Sequence, residues 1–270
     1  MSSADATIRA RARDLIVAFK ADPTHSALLL DFDGTLTPIE RDPEAPTLST
    51  TQIDLLHSLS VLLGTLAIVS GRTGSFLVER LGFDTHPKTR LVAFGRGGLD
   101  AIDSAGTITS SRAFEQWDAP MRELARDARR AAPLAWVEEK GVVLTFHWRR
   151  APSTEPVLRD IARQAVEHLG LVAREAKQSI EIFPPGVPGK PEVVRALSEG
   201  SRVIAYFGDD TGDLEAYDAL DRLGAEIKTF RGCVKGDEVP AGMQERADLV
   251  LDSSAETFEL LTLLADELDA

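Results

Sequence analysis

One cysteine, Cys233, stands in 270 residues. A single thiol closes no internal disulfide, so a reducing cytoplasm is the expected compartment. Gly232 and Val234 flank it with no histidine close in sequence, so Cys233 reads as a surface or core thiol rather than a nucleophile. Basic residues are in deficit too: 30 Lys+Arg face 43 Asp+Glu, a formal net charge of −13 at pH 7. That balance argues against wrapping nucleic acid or lying on an anionic membrane. It also repels a phosphorylated substrate unless a cation reverses the sign locally. No apolar run approaches the roughly 18–20 residues of a membrane span, and there is no fixed-period repeat or low-complexity tract. The Arg-rich start, MSSADATIRARARDLIVAFK, carries Asp5 and Asp14, which a transit peptide avoids. Its Ile8, Leu15, Ile16 and Phe19 predict one amphipathic helix packed on the body. Such a length suits two domains, or one domain with a large insert, and a core that needs no disulfide or structural metal.

What is present is a succession of short apolar runs. Ala27–Phe32, Thr65–Val69 and Leu91–Phe94 read as buried strands, separated by helical stretches near 50–62 and through Leu77 and Leu81. Continuous rather than alternating apolar residues suit central parallel strands covered on both faces. The middle of the chain changes character. A helix over 114–131, strands at Ala135–Glu138 and Gly141–Arg149 joined by Glu139-Lys140, a helix through Val157 and Ile161, then strands at Leu171–Ala176 and Ile180–Phe183 give the order αββαββ. The parallel pattern returns after Pro184, with strands at Val203–Phe207 and Ala247–Leu251. The predicted fold is α/β: a Rossmann-like doubly wound core over 1–102 and 184–270, with an α+β cap inserted over 103–183. Ligands of such sheets bind beyond the carboxyl ends of the strands.

Four motifs fall there. Asp31-Phe32-Asp33-Gly34-Thr35 places two acids on one side of an extended chain, about 6–7 Å apart, as a nucleophile and a separate acid/base require. A calcium loop would need Gly sixth and Glu twelfth, and has neither here. Ser70-Gly71-Arg72 ends a buried strand, where Ser serves either as a helix N-cap or as a phosphate ligand at a helix start. Lys190 precedes Pro191 at a helix N-terminus; a cation is unfavourable there, which suggests an anion partner. Gly208-Asp209-Asp210-Thr211-Gly212-Asp213 packs three carboxylates into five residues. A like-charged pair at ~4 Å costs about 4 kcal/mol at an effective dielectric near 20, which a divalent cation offsets. A solvated acidic turn is the other reading.

In this order on one sheet, the four motifs resemble the haloacid dehalogenase superfamily of phosphatases. DFDGTLTPIERDP, AIVSGR, VEEKGVVLTFHWR and YFGDDTGDLEAYDAL are similar to the trehalose-6-phosphate phosphatase family, across core and cap. The resemblance implies Asp31 as nucleophile, Asp33 as acid/base and Thr35 orienting Asp33. It implies Ser70, Gly71 and Lys190 on the phosphoryl group, with Lys190 also catalytic and the Phe32 N–H assisting. It further implies Mg²⁺ on Asp31, Asp33 and Asp209 with Asp210 and Asp213 in support, and Arg72, Glu138, Lys140 and Glu181 on the sugar. The expected partner is a small sugar phosphate, trehalose 6-phosphate first, and a monomer is expected. Gly95-Arg96-Gly97-Gly98 and Phe183 depart from the family pattern, which brings in another disaccharide or pseudodisaccharide phosphate. A non-catalytic sugar-phosphate sensor would have lost Asp31 or Asp33. A glycosidase would leave Ser70, Lys190 and the Asp209 cluster unexplained.

Overall fold

The computed structural model describes residues 3–40, 42, 44–176, 178–236 and 239–270. The first apolar runs form β1 (Ser26–Leu30), β2 (Thr65–Val69) and β3 (Val92–Gly95), with helices Thr50–Leu62 and Gly74–Leu81 between them. β4 (Asp100–Ile102) and β5 (Ile108–Ser110) extend the sheet past β3. A separate sheet follows, made of β6 (Trp136–Lys140), β7 (Val143–His147), β8 (Val172–Ala176) and β9 (Ser179–Phe183). β10 (Val203–Gly208), β11 (Lys228–Val234) and β12 (Leu249–Leu251) then rejoin the first sheet. Its order is β12-β11-β10-β1-β2-β3-β4-β5; β12 through β3 are parallel, and β4 runs antiparallel to β3. The chain divides into two compact units, Met1–Thr109 with Pro188–Ala270, and Ser110–Val187.

Two-sided burial fixes β1 near the middle of the large sheet. Leu28 and Leu30 pack into one cluster with Phe19, Leu56 and Ile68, while Ala27 and Leu29 pack into another with Val69, Ile204 and Tyr206. Each large apolar side chain so buried contributes about 1.5–3 kcal/mol. A strand apolar on both faces finds that burial only between two helical layers. Its carboxyl end, and the acids after it, are thereby set beside the end of β10.

In the second unit the order αββαββ is realised, with helices Asp118–Ala131 and Glu155–Leu169 and sheet order β6-β7-β9-β8. Met121, Ala125, Leu158 and Ala162 of the helices pack on Val137, Leu144, Phe146, Ile180 and Ile182. One face of this sheet is therefore its core, and the two-residue period sends the alternate side chains to the other face.

Three local expectations change. The N-terminal helix is two, Ser3–Arg11 and Arg13–Ala21, although Ile8, Leu15, Ile16 and Phe19 are all buried as its pattern requires. Glu139 and Lys140 do not join the hairpin: they lie within β6, and the turn is Gly141-Val142. Gly141 takes φ +71° there, the left-handed conformation that two-residue hairpins favour. The last strand reads as Leu249–Leu251, and an unanticipated one, β11, lies between it and β10. Among the described residues no helix is long and apolar enough to cross a membrane.

Candidate active site

β1 and β10 are parallel neighbours with Leu30 opposite Phe207, and the Asp31 N–H donates to the Phe207 carbonyl at 2.9 Å. Asp31 and Asp209 therefore leave the same edge of the sheet side by side. The chain after Asp31 folds back on itself: Leu36 and Thr37 N–H groups donate to the Phe32 carbonyl, and Gly34 N–H to that of Thr37. Gly34 has φ +76°, and a Cβ on it would collide with the Asp209 carboxylate. Only glycine lets the loop backbone come this close to that acid.

Asp213 is the most heavily engaged of the acids. Its Oδ1 accepts from Tyr206 Oη at 2.6 Å and Lys190 Nζ at 2.5 Å; its Oδ2 accepts from the N–H groups of Asp209 and Asp210 at 2.8 and 2.9 Å. Four donors consume its lone pairs, so Asp213 props the turn. Asp210 caps the helix Thr211–Asp221, its Oδ1 accepting from the Asp213 N–H at 2.9 Å. Lys190 opens the helix Lys190–Ser198, and its buried ammonium lies 3.2 Å from Asp31, 3.4 Å from Asp210 and 2.5 Å from Asp213. Its unfavourable position on the helix dipole is thus offset by three carboxylates.

One ammonium among these acids leaves excess negative charge. Burial first, then Asp213, hold the Asp31 carboxyl well above the usual carboxylate range. Burial and Asp210 push Asp213 up to about 6, against the pull of Lys190. Burial alone would lower Lys190, but Asp210, Asp213 and Asp31 together hold it well above its ordinary value. The oxygens of Asp31, Asp209 and Asp213 come within 4.8 Å of one another. Hard oxygen donors, close together and short of positive charge, fit a hard divalent cation such as Mg²⁺.

Arg72, expected on the sugar, instead holds Asp33, the role expected of Thr35. Arg72 grips Asp33 as a fork, Nε to Oδ2 and Nη2 to Oδ1, both at 2.7 Å, and stacks over the Phe76 ring at 4.6 Å. The Thr35 hydroxyl is buried and makes no hydrogen bond among the described residues, so Arg72, not Thr35, orients Asp33. Ser70 is not the helix cap: Thr73 caps Gly74–Leu81 through the Phe76 N–H. The buried Ser70 Oγ instead accepts the Arg72 N–H at 3.2 Å, while Gly71 is exposed in the same turn. Cys233 lies buried in β11, and burial, aided by Asp209 and Asp213, pushes its thiol up to about 11. It is a core thiol.

The second unit carries its own cluster, on the face its helices leave uncovered. Glu138 and Lys140, two apart on β6, sit 3.5 Å from each other, and Lys140 lies 3.7 Å from Glu181 of β9. His147 lies 2.9 Å from Glu138 and stacks on Trp136 at 4.2 Å. Arg174 lies 3.7 Å from Glu181 and 5.0 Å from the Phe183 ring. Burial would raise Glu138, but the bond from His147 and the charge of Lys140 hold it below its ordinary value. Arg174 was not among the expected site residues, and His147 entered only within the motif VEEKGVVLTFHWR; cross-strand register, Trp136 beside His147 and Arg174 beside Glu181, brings both to the cluster.

The fold is similar to that of a haloacid dehalogenase-like hydrolase from Bacteroides thetaiotaomicron, with TM-score 0.62 at 13% identity, covering 89% of this chain and 98% of that one. The C-terminal domain of the C. albicans trehalose-6-phosphate phosphatase superposes with TM-score 0.74 at 22% identity, covering 94% of this chain and 96% of that one. The Escherichia coli trehalose-6-phosphate phosphatase is 26% identical over 230 residues, 81% of this chain and 83% of that protein. The Zygosaccharomyces rouxii trehalose-phosphatase is 31% identical over 176 residues, 63% of this chain but only 19% of that protein. The trehalose-phosphatase family model matches residues 29–242, a span that runs from β1 through the whole second unit to past β11. The chain belongs to the trehalose-phosphatase family.

Proposed function

We propose that this chain hydrolyses a sugar phosphate monoester, trehalose 6-phosphate before others, through an aspartyl-phosphate on Asp31. The observation that carries the reading is the buried Asp31 carboxylate, 3.2 Å from Lys190 and beside Asp209 and Asp213, with Arg72-held Asp33 on the same loop. The Asp31 carboxylate attacks phosphorus in line, and the bond from phosphorus to the sugar oxygen breaks. Asp33 gives its proton to the departing oxygen. It then takes one from a water that attacks the acyl phosphate, which restores Asp31 and releases phosphate. Lys190, the Ser70 hydroxyl and the N–H groups of Phe32 and Gly71 hold the phosphoryl oxygens. Mg²⁺ would be held by the carboxylates of Asp31 and Asp209 and the Asp33 main-chain carbonyl, with Asp210 and Asp213 behind, and supplies charge neutralisation for the phosphoryl group.

Glu138, Lys140 and Glu181 take the sugar hydroxyls in this reading, since carboxylate and ammonium groups each pair with several hydroxyls. The compartment is the cytoplasm, consistent with a lone buried thiol. A second reading keeps the chemistry and changes the sugar to another disaccharide or pseudodisaccharide phosphate. Arg174 stacked on Phe183 favours it, because the phenyl ring stands where the family usually has an arginine. Phosphate release from a panel of sugar phosphates, with and without Mg²⁺, tests both. Metal-dependent release from trehalose 6-phosphate supports the first, and release from a different disaccharide phosphate alone supports the second. Release from none contradicts both.

A further inference from the structure

The segment Gly95–Gly98, which departs from the family pattern, lies against the turn that carries Ser70 and Arg72. Arg96 N–H donates to the Arg72 carbonyl at 2.7 Å, Gly97 N–H to the Ser70 carbonyl at 2.9 Å, and Ser70 N–H to the Phe94 carbonyl at 2.9 Å. Arg96 has φ +49°, and Gly97 and Gly98 also have positive φ. A non-glycine residue in the left-handed region is strained and persists only where its surroundings fix it. Here the fixing group is Asp100, a buried carboxylate. It accepts from Arg96 Nε at 2.8 Å, from Arg96 Nη2, and from the N–H of Gly74, the first residue of the helix after the turn, at 2.9 Å. Asp100 thus ties the strained strap, which bonds the Ser70 and Arg72 carbonyls, to the helix start at Gly74, with only Thr73 between Arg72 and that helix.

We propose that Asp100 and Arg96 are positioning residues for this reaction: their ion pair fixes the Ser70–Gly74 turn so that the Arg72 fork presents Asp33. The proposal rests on the phosphatase reading above. Asp100 touches no reacting atom and acts through Arg72. A displacement of about 1 Å at a catalytic group costs up to 10²-fold in rate, so loosening the turn falls on kcat.

The test is a double-mutant cycle on p-nitrophenyl phosphate hydrolysis with Mg²⁺, read well below the melting temperature. Asp100→Asn lowers kcat about 10- to 100-fold with KM changed less than threefold. In an Arg72→Ala background the same substitution changes kcat less than threefold, because the group it positions is gone. Arg96→Gly accepts the positive φ while removing the ion pair, and so repeats the test if Asp100→Asn fails to fold. An equal loss in both backgrounds, or an unchanged kcat in an active wild type, overturns the positioning role and leaves the phosphatase reading standing. A wild type that releases phosphate neither from this ester nor from any sugar phosphate overturns that reading itself.

Discussion

The two charged clusters of this molecule are built differently. At the carboxyl edge of the large sheet, Asp31, Asp209 and Asp213 are buried and the turn is anchored by backbone: Asp213 holds two N–H groups, and the half-exposed Asp210 caps a helix. On the open face of the small sheet, Glu138, Lys140, Glu181 and Arg174 are partly exposed and meet mainly side chain to side chain, at 3.5–3.7 Å. Short, backbone-anchored contacts fix positions to the precision that phosphoryl transfer demands. Longer ion pairs between flexible side chains are weak and exchange readily for hydroxyl groups of a ligand. The first cluster suits chemistry, the second recognition, and the distinction is open to attack from either side.

The largest effect comes from the core side. Asp31→Asn keeps the shape and removes the attacking charge, so turnover falls by several orders of magnitude on every ester. The fold survives because the substitution relieves repulsion among buried acids; circular dichroism and steady-state kinetics check both points. Next is metal removal. Chelation abolishes activity, Mg²⁺ restores it, and Ca²⁺, with longer bonds and more ligands, restores it poorly. Mg²⁺ also raises the melting temperature, by an amount equivalent to about 2.7 kcal/mol at a hundredfold excess over Kd. That gain is pH-dependent. The ligand carboxyl of Asp31 is held well above the usual carboxylate range, and Asp213 behind it is raised to about 6, so protons compete with the ion's charge as pH falls. The Mg²⁺-induced rise in melting temperature is therefore small at pH 4.5 and complete near pH 7.5; a gain flat across that range would contradict the acid-cluster assignment.

The smallest effect lies away from both clusters. Buried His57 bonds Thr89 Oγ1 and the Leu81 carbonyl, both at 2.6 Å, and stacks on His86. Burial, assisted by His86, holds its imidazole below the ordinary 6.5, with the Leu81 carbonyl opposing. The unfolded chain takes up this proton first. Stability is thus present above about pH 6.5 and declines as pH falls through that value toward the lower folded pKa. Melting temperatures of the wild type and His57→Gln, between pH 7.5 and 5.5, measure it: the wild type loses more.

The sequence was legible where chemistry sits on strand ends. Apolar runs that stop at Asp31, Ser70 and Asp209 mark the edge of the sheet, and the structure brings Asp31, Asp209, Asp213 and Lys190 together there. Contacts decided by how neighbouring strand ends face each other were not legible. Arg72 and Asp33 lie 39 residues apart, and no local rule says that the arginine chooses the acid over a ligand. β11 was hidden because Arg231 and Gly232 interrupt its apolar pattern, although its core residues Phe230, Cys233 and Val234 are buried. The hairpin was misplaced by two residues because charge at Glu139-Lys140 suggested a turn, whereas backbone conformation at Gly141 sets it. That correction puts Glu138 and Lys140 on one face of β6.

The division of labour between the clusters is tested most directly by one ratio: kcat/KM on the sugar phosphate over kcat/KM on p-nitrophenyl phosphate, in the wild type and in the Glu138→Ala/Lys140→Ala variant. The generic ester needs only Asp31, Asp33, Lys190 and Mg²⁺, so its hydrolysis stays near the wild-type rate. Activity on the sugar phosphate falls by about 10²–10⁴-fold, or roughly 3–5 kcal/mol, with part of the loss in kcat because remote binding energy positions the phosphate. The account predicts a ratio lowered by that factor. An unchanged ratio, with both activities intact or both lost together, would contradict it.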